Sequence, residues 1–192
     1  MKLITTLLLI LPSVFLFGQN SIEISQNYLK EKIVKEIIFV SIEEQRLYHI
    51  KDNIIINEFI ISSSAYGTGN KSGSNKTPLG LHKVKHKYGN NTPINGRMIA
   101  RVYTGDIATV YKDNTKSKTD DVTTRILWLE GLEQGINKGK GIDSFKRYIY
   151  IHGTSEEGRL GTPASHGCIR MRNKEVINLY NKVAIGTLVL IL

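Results

Sequence analysis

The sequence predicts a mainly β, β-rich α+β fold, a sandwich or partly closed barrel with one or two peripheral helices. Three observations lead there. Val, Ile and Thr are plentiful and Tyr, with nine copies, is the commonest aromatic residue, a composition suited to pleated, half-buried surfaces. Short apolar runs recur with polar turns between them, and only two stretches carry near-helical spacing. The chain has 192 residues, 41% of them apolar, which is one domain of ordinary length with a real core. No internal repeat and no linker divides it.

The elements follow in order. Met1-Lys2 is a short positive start, Leu3 to Phe17 is almost wholly apolar, and Phe17-Gly18-Gln19-Asn20 ends the run on a small residue. Residues 1–18 therefore read as a secretory signal peptide, cleaved after Gly18. The competing reading is an uncleaved anchor, but the run is shorter than the ~20 residues a spanning helix needs, and Pro12 and Ser13 interrupt it. No cysteine lies near the cleavage point to carry a lipid. The expected location is outside the cytoplasmic membrane, in the periplasm or cell wall, with no stable membrane insertion. Residues 19–34 form an N-terminal segment with helical spacing, Ile22, Leu29, Ile33 and Val34 recurring within Ser21–Glu36. Residues 35–192 form the main domain.

Within it, Ile37–Val40, Gln45–Ile50 and Ile54–Ile61 read as a three-stranded meander, turned by Lys51-Asp52-Asn53. A Ser-, Gly- and Asn-rich loop, Ser62 to Lys76, closes on Thr77-Pro78-Leu79-Gly80, read as a tight turn. Leu81–Lys87, Arg97–Tyr103, Arg125–Leu132 and Tyr148–His152 are further strands, and Thr109 to Thr123 is a polar, mobile excursion. Asn173 is placed to cap a helix running through Val176, Leu179 and Tyr180. Gly186 stops the following segment, and Thr187–Leu192 is a last strand.

Charge and cysteine usage narrow the partners. A formal charge of +9, spread along the chain, steers anionic partners towards it. Nucleic acid fits poorly, because no basic block is interleaved with aromatics; an acidic wall polymer or carboxylate-rich peptide fits better. Cys168 is the one cysteine, so no intramolecular disulfide forms. A lone thiol in an oxidising compartment is a liability, unless it is buried as a small apolar residue or used chemically.

Its surroundings favour use. Tyr148-Ile149-Tyr150-Ile151-His152-Gly153-Thr154 and Ser165-His166-Gly167-Cys168-Ile169-Arg170-Met171 place two of five histidines and the cysteine within seventeen residues. His152 closes an alternating strand, where a rigid backbone can present a side chain to a cleft. Cys168 follows a glycine in a loop read as leading to a helix, whose dipole would favour thiolate. A cysteine nucleophile needs a base in reach and donors aimed at the developing oxyanion. His152 can be the base, and the amides of His166, Gly167 and Cys168 the donors. Gly167 lets the backbone approach substrate without a Cβ. The His166 side chain reads as bracing the loop, and Arg170 and Ser165 as supporting either the loop or a substrate carboxylate. A metal site of His152, His166 and Cys168 lacks the usual paired-ligand spacing.

These two segments resemble the signature of the L,D-transpeptidase catalytic domain, in which a His precedes a Ser/Thr-His-Gly-Cys segment ending in Asn or Arg. Thr77-Pro78-Leu79-Gly80 also resembles the family's Thr-Pro-x-Gly element, and the similarity spans about residues 35 to 192. The resemblance implies an L,D-transpeptidase-like β fold, Cys168 as nucleophile, His152 as general base, and the Gly153 carbonyl orienting the imidazole where other members often carry Ser. It implies a peptidoglycan stem tetrapeptide as substrate, cut between the third-position diamino acid and the terminal D-Ala. An acyl-enzyme on Cys168 is then resolved by an amine, and carbapenems can acylate the same thiol. No cofactor and no metal are implied, and a monomer is expected. The alternatives are an L,D-carboxypeptidase or other hydrolase on the same site, a non-catalytic cell-wall-binding protein, and an enzyme whose acceptor is a protein.

Overall fold

The alternating runs after residue 35 pair as the meander their turns require: β1 (Glu36–Ser41), β2 (Arg46–Lys51) and β3 (Ile54–Ser62), both pairings antiparallel. Asp52 and Asn53, at φ 48° and 62°, supply the left-handed pair that a two-residue hairpin needs. This computed structural model describes residues 13–30 and 34–192, with side chains from residue 20 onward. Most of the leader reading, residues 1–12, lies outside the described residues. Helix α1 (Ser13–Leu29) runs through Gly18 and ends seven residues before the Glu36 limit expected from its spacing. Glu36 is taken by the β ladder instead, opposite Lys51. Among the described residues no helix is long and apolar enough to cross a membrane.

The remaining elements are β4 (Gly80–Tyr88), β5 (Gly96–Ile99), β6 (Val102–Ile107), β7 (Val122–Gly131), β8 (Tyr150–Thr154), β9 (Ile169–Met171), α2 (Asn173–Lys182) and β10 (Leu188–Ile191). Strands run in the order β4-β10-β1-β2-β3-β9-β8-β7, and β7 pairs back onto β4. These eight strands therefore close on themselves as a barrel, with β5 and β6 hanging from β7 as a hairpin. All pairings are antiparallel except β1 with β10 and β8 with β9.

Alternation sorts the side chains. Leu47, Ile61, Leu127, Leu129, Ile151, Ile169, Met171 and Val189 form one interior cluster with Val176, Leu179 and Tyr180 of α2. Burial at about 25 cal/mol per Å² of apolar surface makes this cluster the main stabilising feature. On the outer face, α1 lays Ile22, Ile24, Tyr28 and Leu29 over Phe39, Tyr48 and Ile50. A third cluster of Ile126, Trp128, Tyr150 and Met98 covers the outer face of β7 and β8, with Cys168 at its margin.

Three local expectations are corrected. Arg97–Tyr103 is a hairpin rather than one strand, turned at Ala100 and Arg101 with φ 48° and 71°; neither residue signals a left-handed turn in sequence. Thr77-Pro78-Leu79-Gly80 is an extended crossing rather than a tight turn: Thr77 bridges Thr68, and Gly80, at φ 98°, already opens β4. The cap of α2 is Arg172, and Asn173 is the first helical residue with its side chain turned into the protein.

Candidate active site

Strands β8 and β9 build the site by simple alternation. Ile151 lies opposite Ile169 and points inward. Tyr150, His152, Cys168 and Arg170 therefore share the outer face, because side chains alternate along each strand. Register puts Arg170 beside His152 and Cys168 one residue ahead of the paired segment. Cys168 and His152 are thus diagonal neighbours, with Cα atoms about 8 Å apart from standard strand spacings.

His152 is 1% exposed, and its Nδ1 lies 2.7 Å from the Gly153 carbonyl oxygen. A carbonyl only accepts, so Nδ1 carries the proton and Nε2 keeps a free lone pair. Gly153 has no room for a side chain: a Cβ there would stand 2.5 Å from Asn173 Oδ1 and 2.9 Å from the Thr123 carbonyl. Asn173 is fixed in place. Its Oδ1 accepts from the Thr123 and Thr124 hydroxyls at 2.6 and 2.5 Å, and its Nδ2 donates to Thr154 O and Glu157 Oε1, each at 2.8 Å.

The thiol rests on β8. Cys168 Sγ accepts from the Tyr150 N–H at 3.3 Å and donates to the Tyr148 carbonyl at 3.4 Å. Tyr148 holds φ 57°, an uncommon left-handed conformation for a bulky residue and one typical of functional loops. Burial pushes the Cys168 thiol up to about 12, with the Asp120 carboxylate adding to it and the Tyr150 N–H, Arg170 and Arg147 pulling the other way. Burial also holds His152 below the usual imidazole range, against the Asp120 carboxylate and the Gly153 carbonyl. Both shifts favour the neutral form. The expected helix behind Cys168 is absent: β9 follows the cysteine, and α2 begins only at Asn173. No helix terminus lowers the thiol.

The nucleophile loop is braced from several sides. Ser165 Oγ donates to the Cys168 carbonyl at 2.6 Å and accepts from the Gly167 N–H at 3.1 Å. Gly167 holds φ 123°, so glycine is required there by backbone conformation. The Thr77 hydroxyl donates to the Gly167 carbonyl at 3.1 Å, which gives the upstream Thr-Pro-Leu-Gly segment a direct structural tie to the cysteine. Arg147 donates to the carbonyls of Gly69 and Lys76, at 3.1 and 2.6 Å, and so ties the 62–76 loop to the segment before β8.

The amides named as oxyanion donors are unequal. The His166 N–H is held by Asp120 Oδ2 at 3.1 Å and the Gly167 N–H by Ser165, which leaves the Cys168 N–H of the three. The His166 ring also meets Asp120, with Nδ1 at 2.7 Å from Oδ2, and lies against Tyr66. Arg170, 1% exposed, meets Asp120 Oδ1 at 2.5 Å and Glu156 Oε2 at 2.8 Å. Its guanidinium therefore faces two protein carboxylates. Among the described residues no group of three His, Cys, Asp or Glu is arranged to hold a metal ion.

Asp120 and Glu156 were invisible to sequence reading. Residues 109–123, expected to be mobile, are instead tied down: the Tyr111 N–H donates to Ser155 O at 2.8 Å, and Ser117 donates to Glu156 from both its N–H and its hydroxyl. The acidic pair Asp120-Asp121 at the end of a Lys- and Thr-rich stretch was the available signal. Beside the thiol, Trp128 stacks on Phe145 at 4.1 Å, and Arg101 from the hairpin tip lies 4.7 Å over Trp128 and donates to the Tyr150 hydroxyl at 3.2 Å.

Comparison with known proteins agrees with this fold. A family model, the L,D-transpeptidase catalytic domain, matches residues 35–191. The Bacillus subtilis (strain 168) protein YqjB, whose name also assigns it to the L,D-transpeptidases, is 48% identical over 52 residues, 27% of this chain and 28% of its own length. Among solved structures, a mutant of the Enterococcus faecium L,D-transpeptidase superposes with TM-score 0.50 at 19% identity, over 83% of this chain and 50% of that one. L,D-transpeptidase 3 from Mycobacterium tuberculosis, in complex with a faropenem-derived adduct, gives 0.50 at 17%, over 82% and 60%. The chain thus spans under two thirds of each of these relatives. With the family model covering the whole barrel and both segments that carry the cysteine and histidine, this chain belongs to the L,D-transpeptidase family.

Proposed function

We propose that this chain is a peptidoglycan L,D-transpeptidase, a cysteine acyltransferase with Cys168 as nucleophile and His152 as general base. The observation that carries the reading is the His152 imidazole, buried beside β9 with Nδ1 fixed on the Gly153 carbonyl, which leaves Nε2 as the basic nitrogen. Cys168 sits on the same face of the neighbouring strand.

The step runs from a neutral pair. Sγ attacks the carbonyl between the third-position diamino acid and the terminal D-Ala of a stem tetrapeptide, while the thiol proton passes to His152 Nε2. The carbonyl oxygen becomes an oxyanion, for which the Cys168 N–H is a donor. Collapse breaks the C–N bond, and the imidazolium returns its proton to the departing amine of D-Ala. An acceptor amine then attacks the thioester, gives its proton to His152, and regenerates the thiol. Burial and the Asp120 carboxylate oppose a standing thiolate, so in this reading the proton leaves sulfur as the C–S bond forms. Acylation of Cys168 separates this enzyme from a non-catalytic wall-binding protein.

The same thiol is a target for carbapenem-type acylation, a reading supported by the faropenem-derived adduct on the M. tuberculosis relative. Export to the periplasm or cell wall rests on the leader pattern in residues 1–18, and the charge of +9 suits an acidic wall.

The test is mass spectrometry of products from a disaccharide-tetrapeptide, with the Cys168→Ala variant alongside. Crosslinked dimer with released D-Ala, seen only when Cys168 is present, is expected. Tripeptide alone would replace the reading with a carboxypeptidase, and absence of any product or adduct would replace it with a wall-binding protein.

A further inference from the structure

We propose that Asp120 is a positioning residue of this site: its carboxylate fastens the 108–121 loop to the nucleophile loop and to Arg170, and fixes one negative charge beside His152 and Cys168. The inference rests on the reading of Cys168 as nucleophile and His152 as base.

Two hydrogen-bonding groups and one cation converge on this carboxylate. Oδ2 takes the His166 backbone N–H at 3.1 Å and His166 Nδ1 at 2.7 Å, and Oδ1 stands 2.5 Å from Arg170 Nη2. The Asp120 side chain is 21% exposed and that of Arg170 only 2%, so this is a largely desolvated, charge-assisted contact rather than a surface pair. The other guanidinium nitrogen of Arg170 reaches Glu156, and Glu156 holds Ser117 of the same loop at 2.8 and 2.7 Å. Besides this second latch at Ser117, the loop is held by the Tyr111 N–H on Ser155 O at 2.8 Å and by Lys112 on Glu157, and of these contacts only that of Asp120 touches the segment that carries the thiol.

The charged groups facing this position come from every packed element. They are His152 on β8, His166 and Cys168 on the nucleophile loop, Arg170 on β9 and Glu156 after β8, with Arg147 before β8 acting on Cys168. Against them the Asp120 carboxylate favours an imidazolium at His152 and disfavours a thiolate at Cys168. That is the asymmetry the proposed step uses. The sulfur charge passes into the substrate as the C–S bond forms, whereas the imidazolium persists until the leaving amine takes its proton, and Asp120 stabilises what persists.

The experiment follows alkylation of Cys168 by iodoacetamide against pH, a readout that needs no wall substrate, together with kcat and KM on tetrapeptide. Asp120→Asn keeps an acceptor and removes the charge. Its alkylation midpoint falls by about one pH unit, and kcat falls about tenfold with KM within about twofold. Asp120→Glu restores the midpoint, and Ser117→Ala, which loosens the second latch and leaves the charge, does not move it. Where Asp120→Asn does not fold by circular dichroism, Asp120→Ser, with room for a water, is read in its place. A folded neutral variant with an unmoved midpoint, or an equal shift in Ser117→Ala, overturns the assignment. A shifted midpoint in a protein inactive on tetrapeptide supports Asp120 while removing the proposed reaction.

Discussion

Gly153 shows how one missing side chain sets the geometry of the base. Its carbonyl holds His152 Nδ1, and the space above its Cα is filled by Asn173 Oδ1 at 2.5 Å. The amide of Asn173 is pinned by four hydrogen bonds and cannot retreat cheaply. Gly153→Ser, the residue expected in many relatives, is therefore predicted to destabilise this protein by about 1–3 kcal/mol through overpacking, and to slow acylation by displacing the carbonyl. A chemical denaturation midpoint matching that of the native chain would show that Asn173 yields. At this scale the sequence was informative where chemistry is local. Cys168, His152, Gly167 and Ser165 lie in two short segments whose spacing exposes them. Asp120 was not legible, because its partners His166 and Arg170 are 46 and 50 residues away and leave no periodic trace.

At the level of elements, strand alternation made most of the barrel readable, and the misses share a cause. The β5–β6 hairpin turns on Ala100 and Arg101, held left-handed by tertiary contacts, chiefly Arg101 over Trp128 and against the Tyr150 hydroxyl. Strand β9 is three residues long and was masked by the motif it carries. Helix α1 ends at Leu29, with Lys30 left-handed at φ 41°, and Glu36 pairs in the sheet. His82 gives a test of how elements are joined. Its Nδ1 donates to the Gly80 carbonyl and its Nε2 accepts from Ser144, each at 2.9 Å, tying β4 to the segment before β8. Burial lowers His82 from 6.5 to about 4. Between those values the unfolded chain binds the extra proton, so stability is full above about pH 6.5 and declines as pH falls towards 4, by up to roughly 3 kcal/mol. Buried His152, also lowered, contributes in the same direction. Urea unfolding at pH 7, 5.5 and 4.5 is predicted to show this decline, and His82→Gln to show a shallower one. Parallel declines would mean that other groups carry the acid sensitivity.

Across the whole molecule, closure of eight strands through the β7–β4 pairing leaves one face of β8 and β9 to be covered by loops rather than by sheet. That face carries the cysteine and the histidine, rigid because both neighbours are strands and desolvated because residues 108–121 lie across it. The fold thereby sets thiol and imidazole on one face of adjacent strands, where burial favours the neutral form of each. Composition and alternation predicted a mainly β sandwich or partly closed barrel, but neither its full closure through β7 and β4 nor the loop packing around the cysteine and histidine, since loop contacts depend on closure being complete. The central claim is covalent chemistry at Cys168, and the most direct measurement is the intact mass of the protein after incubation with a carbapenem, followed by peptide mapping. A single adduct on Cys168, absent from Cys168→Ala and formed more slowly by His152→Ala, is the predicted result. An adduct that persists in Cys168→Ala, or maps to another residue, would contradict the account.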